Sequence, residues 1–110
     1  MEQINISYTA NFINYLDDLV LVVYKDDYFS FIENAFNYTS KIYEFIDNNI
    51  ENFPHKNTPK ALSKFGDFYI FYNFNSRTTW YIFFSKKQNN YLIKHITNNH
   101  NFDSNILNTN

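Results

Sequence analysis

A two-layer α+β fold is what this 110-residue sequence predicts, and three observations predict it. Residues 28–50 repeat apolar side chains at helical spacing, residues 67–97 hold three β-branched and aromatic runs parted by short turns, and the N-terminal INISY alternates strictly. The expected order is an N-terminal strand, a helical hairpin, then a three-stranded antiparallel meander that forms a curled sheet with the helices on one face.

Each element has a local cause. In INISY, Ile4, Ile6 and Tyr8 alternate with polar residues, the period of a strand half-buried in a sheet. Thr9 then offers an N-cap to a first helix, along which Phe12, Leu16, Leu19, Val20 and Val23 recur at steps of three and four. Asp26 and Asp27 interrupt that helix and are placed to cap a second. Its apolar stripe runs through Tyr28, Phe31, Ile32, Ala35, Thr39, Ile42, Tyr43, Ile46 and Ile50, with Glu33, Lys41, Glu44 and Asp47 on the solvated side. Pro54 and Pro59 bracket FPHKNTPK, which cannot continue a helix and reads as a loop. The runs DFYIFYNF, TTWYIFF and YLIKHIT follow, and the short stretches NSR and SKKQNN between them imply antiparallel hairpins. Residues 1–100 read as a single domain and 101–110 as an irregular C-terminal tail.

Composition bounds the function. A chain this long buries roughly 60 to 70% of its unfolded surface, enough for one core, and thirteen Phe, ten Tyr and one Trp supply much of it. With no cysteine there are no disulfides, thiolate metal sites or thiol nucleophiles. The three histidines are widely spaced, without a repeated His/Asp/Glu pattern, so no metal and no cofactor is expected. MEQINISYTANF does not have the pattern of a signal peptide, and LVLVV is too short to span a bilayer, so a cytoplasmic protein without membrane contact is expected. Nineteen asparagines fit an AT-rich coding sequence, and single asparagines carry little weight.

The net charge of −2 conceals a division. Residues 1–52 hold nine acids against two lysines, net −7, while residues 53–110 hold seven cations against two acids, net +5. All three histidines lie in the basic half. Such asymmetry points either to a polyanion-binding face or to acidic helices packing on a basic sheet. The only arginine, Arg77, stands at the mouth of RTTWYIFF, where its planar fork could hold a phosphate through two parallel hydrogen bonds or anchor a turn by pairing with Asp67.

The element order, the basic loop HKNTPK, and TTWYIFF followed by YLIKHITNNH resemble the RelE/ParE superfamily of bacterial toxins, in particular its compact Bacteroidetes-type variants. The likeness spans nearly the whole chain, its specific part being residues 54–100. The resemblance implies the toxin of a type II toxin–antitoxin pair, with an antitoxin protein as partner. Its activity would be metal-independent cleavage of mRNA at the ribosome or, in the other branch, non-catalytic binding such as inhibition of gyrase. In the nuclease branch the 2′-OH attacks the neighbouring phosphate, which requires a base, an acid for the departing 5′-oxygen, and cations around the crowded phosphorus. Carried onto this sequence, Arg77 and Lys94 hold the phosphate and His100 exchanges protons, its imidazole titrating near ~6.5. Lys56, Lys60 and Lys64 are candidate phosphate contacts, and Trp80 a candidate stacking surface for a base. Strict alternation would send Lys94 and His95 to opposite faces, with Lys94 outward on an open face and His95 under the helices. His55 reads as an exposed loop residue. One departure from the family is plain: nuclease members are strongly basic, and this chain is mildly acidic with one arginine.

Overall fold

The computed structural model describes residues 3–25, 32–74, 76 and 78–99, and of residues 19–25, 32–36 and 38 the backbone alone. The elements are β1 (Asn5–Tyr8), α1 (Ala10–Lys25), α2 (Ile32–Asn49), β2 (Lys56–Asn57), a 3₁₀ helix (Lys60–Phe65), β3 (Phe68–Asn73), β4 (Thr79–Lys87) and β5 (Asn90–Asn98). The fold is α+β, built on a five-stranded mixed sheet in the order β1-β5-β4-β3-β2. β1 runs parallel to β5, and the other neighbours are antiparallel.

The junction between β1 and α1 turns on one residue. Thr9 donates its N–H to Ile93 O at 3.0 Å, continuing the parallel ladder, while its Oγ1 accepts the N–H of Phe12 at 3.1 Å and caps α1 as expected. The same hydroxyl donates to Lys94 O at 3.2 Å. Phe12 and Leu16 from α1, and Ile42, Ile46 and Ile50 from α2, are fully buried against Ile70, Trp80, Ile82, Phe84, Ile93 and Ile96 of the sheet. That cluster is the main core. The expected capping residues Asp26 and Asp27 lie outside the described residues, as does the tail 101–110.

At the far end of α2, Asn49 Nδ2 donates back to Phe45 O at 2.8 Å and His55 Nε2 donates to Ile50 O at 2.6 Å. The His55 bond holds the Ile50 carbonyl just past the helix end, and the Asn49 side chain adds a second donor to a carbonyl of the last turn. His55 is therefore not the exposed loop residue expected. It is half-buried, its ring edge-on to Phe84 at 4.9 Å.

The proline-bracketed segment also departs from a plain loop. Lys56 and Asn57 pair with Tyr69 and Phe68 as the short edge strand β2, adding a fifth strand. Residues 60–65 form the 3₁₀ helix on the side of the sheet away from α1 and α2, where Leu62 and Phe65 pack on Tyr69, Tyr81 and Phe83. The face expected to stay open is thus partly covered. Gly66 makes this possible: at φ 151° an added Cβ would stand 2.9 Å from both the N and O of Phe84. The hairpin joining β4 and β5 is tighter than SKKQNN suggested, with Lys87 opposite Asn90 and Gln88 at φ 55°.

Candidate nucleic-acid interface

Alternation along β3 and β4 sorts side chains between the two sides of the sheet. Ile70, Trp80, Ile82 and Phe84 face the helices, while Tyr69, Phe71, Tyr81 and Phe83 face the other way. Trp80 is fully buried on the helix side. This corrects its assignment as a stacking surface, since a ring with no exposed area offers no face to a base.

β5 breaks the alternation. Ile93 lies opposite Phe84 and His95 opposite Phe83, so Lys94 is an extra residue, a β-bulge. The argument that adjacent Lys94 and His95 must take opposite faces fails at a bulge. His95 is not beneath the helices but on the second face, its ring stacked on Phe65 with centroids 3.8 Å apart and planes 10° apart. Tyr15 and Phe83 approach the same imidazole at 4.9 and 5.8 Å. Lys94 is half-buried, and its carbonyl is held by Thr9.

The remaining lysines named from the sequence are exposed and belong to the second layer. Lys56 pairs with Tyr69 across β2 and β3 and carries its Nζ over the Phe71 ring, 5.6 Å from the centroid. Lys64 sits over Phe65 at 5.1 Å, and Lys60 opens the 3₁₀ helix. Exposed Asp17, Asp18, Glu44 and Asp47 lie on α1 and α2. The division of charge along the chain has become a division across the sheet. It is not total, because the exposed Asp67 stands between the 3₁₀ helix and β3, Lys41 lies on α2, and Lys86 covers Tyr91 of the main core, 5.3 Å from its centroid. Arg77 and His100 lie outside the described residues.

Tyr69 and Tyr81, buried on the second face, hold their phenolic protons above the ordinary range because burial disfavours the phenolate, helped at Tyr69 by the neighbouring Tyr81. Near neutral pH they are hydrogen-bonding groups and not bases. Among the described residues no three His, Asp or Glu side chains gather as a metal site, and no helix is long and apolar enough to cross a membrane.

Two features of this surface escaped the sequence reading. Phe65 and Phe71, half-buried and each under a lysine, pack against the second-face cluster. Asn99 extends the β4–β5 ladder, its Oδ1 accepting the N–H of Thr79 at 3.0 Å while its own N–H donates to Thr79 O at 3.2 Å. The signal for Phe71 was the pairing of β2 with β3, which no local pattern in HKNTPK reveals. Comparison with family models, with curated proteins and with solved structures returns no match.

Proposed function

We propose that this chain is a toxin of the RelE/ParE kind, cutting mRNA at the ribosome without a metal, partnered by an antitoxin protein. The observation that carries the reading is the sorting of charge: Lys56, Lys60 and Lys64 stand on the second layer, and Asp17, Asp18, Glu44 and Asp47 on the helices behind the sheet. A backbone of phosphates approaching the second face meets ammonium groups on an aromatic ground, while those four helix acids are turned away from it and Asp67 alone of the described acids stands beside the 3₁₀ helix. The element order, with β1 completing the sheet beside β5 after the two helices, is compatible with the curled RelE/ParE-like sheet that the resemblance implies.

In this reading Arg77 and Lys94 hold the scissile phosphate, and His100 takes part in proton transfer. The 2′-oxygen attacks phosphorus as it loses its proton, the bond to the 5′-oxygen breaks, and that oxygen is protonated, leaving a 2′,3′-cyclic phosphate and a 5′-hydroxyl. Purified protein incubated with ribosomes and mRNA in EDTA should give discrete cleavage, and Arg77→Ala should abolish both cleavage and growth arrest. Persistence of cleavage in the variant would remove Arg77 from the site.

A second reading, a non-catalytic interaction protein, draws on the β3 margin. There Phe53 meets Phe71 edge-on at 5.3 Å and Phe45 stacks on Tyr72 at 4.5 Å. Beside them lies a shallow depression of about 280 Å³ lined by Lys41, Glu44, Phe45, Asn48 and Tyr72. Half-buried aromatics of this kind suit a protein partner such as an antitoxin or gyrase. Absence of any cleavage, with retention of a protein partner on the immobilised chain, would favour this reading.

A further inference from the structure

We infer that Phe71 with Lys56, and Phe65 with Lys64, are two base-stacking units for single-stranded nucleic acid, the ring taking a base and the ammonium a flanking phosphate. The inference rests on the nucleic-acid reading above and deepens it. A lysine lying on one phenylalanine is an ordinary surface arrangement, its methylenes covering apolar area. Here the arrangement occurs twice on one face of the sheet, at 5.6 and 5.1 Å, around a single cluster formed by Tyr69, Tyr81 and Phe83.

Both rings are braced from behind. Phe71 is met edge-on by Phe53 at 5.3 Å, and Phe65 is stacked on His95 at 3.8 Å. A braced ring loses little conformational freedom when a base settles on it. On this face Phe83 is fully buried and is a core ring, whereas Phe65 and Phe71 are left part-exposed, each with an exposed lysine over it. On binding, the lysine leaves the ring face to the base and moves its charge to phosphate, exchanging one favourable contact for two. A duplex cannot use such a platform, because its base faces are already stacked. The chemistry shared by RNA and single-stranded DNA is what the two units recognise.

The test is a titration of the full chain with labelled oligoadenylate, oligodeoxyadenylate, a duplex of matched length, and inorganic polyphosphate. Phe71→Leu and Phe65→Leu are each expected to weaken binding of both single strands roughly five- to a hundredfold, with polyphosphate binding unchanged. Phe71→Tyr should restore it. Lys56→Ala and Lys64→Ala should each flatten the slope of log affinity against log salt by about 0.7, which the phenylalanine variants leave alone. RNA and DNA strands bound equally fit the inference, as does a preference for RNA. If both leucine variants bind single strands as the parent does, or if the duplex binds as tightly as the single strands, the inference is overturned. If Phe65→Leu fails to fold because it loses the His95 stack, Phe71→Leu alone decides. Strand binding without mRNA cleavage leaves these units standing and removes the nuclease reading, whereas no binding of any strand at low salt removes both.

Discussion

The two sides of the sheet differ in what they bury. Toward the helices lies a large cluster of aliphatic and aromatic side chains, with Phe12, Ile46, Trp80, Ile82 and Phe84 fully enclosed. On the other side the buried hydrophobic cluster, among the described residues, is Leu62, Tyr69, Tyr81 and Phe83, under one short 3₁₀ helix, and lysines rim it. Burial of apolar surface is worth roughly 25 cal/mol per Å², so most of the stability comes from the helix side. The second side is left with rings that are only partly covered and charges that are free to meet a ligand. Stability and recognition are thus divided between the two faces of one sheet.

That division can be broken by substitution. Ile82→Ala, in the main core, should cost about 2–5 kcal/mol in chemical denaturation, because a fully buried side chain leaves a cavity between sheet and helices. Gly66→Ala comes next, at about 2 kcal/mol, since its Cβ would press on the backbone of Phe84 from a φ that other residues adopt only at a cost. It should loosen the 3₁₀ helix before the main core, visible as faster amide exchange at Leu62 and Phe65 than at Ile82. Thr9→Ala should cost about 1 kcal/mol through the lost cap of α1, and Thr9→Ser should recover most of it. Phe71→Leu should fall to about 1 kcal/mol, because the smaller side chain leaves space at a half-buried site that water and neighbours can fill. Equal costs for Ile82→Ala and Phe71→Leu would end the comparison.

Alkali gives a smaller and more distributed effect. Tyr8, Tyr43, Tyr69 and Tyr81 all bind their protons more tightly when folded than the ordinary value of 10.0, with burial the first cause in each. Above pH 10 the unfolded chain releases protons that the folded chain keeps. Stability is therefore fully present below pH 10 and should fall as pH rises beyond it. Tyr8, also facing Asp47 at 3.5 Å, carries the largest upward displacement, so Tyr8→Phe should soften the fall. A denaturation series at rising pH checks this.

Much of the fold was legible. The β1 alternation, the Thr9 cap, the stripe through Ile42, Ile46 and Ile50, and three strands in the basic half all rest on local periodicity, which a linear sequence displays directly. The lysines of the second layer were also legible as a basic stretch, since charge can be counted without coordinates. Trp80 was misjudged because an aromatic in a strand has the same local pattern on either face. Only pairing with helix-side neighbours makes it core.

What the sequence determined by itself was the kind and order of the main elements and the segregation of acids from lysines, because both follow from residues close together in the chain. Tertiary structure alone decided the β2 pairing, the bulge that turns His95 to the second face, and the 3₁₀ cover seated over Gly66. It also decided which lysines lie on which rings. These depend on register between segments far apart in sequence, where a shift of one residue exchanges the faces of a strand and no local pattern records the choice.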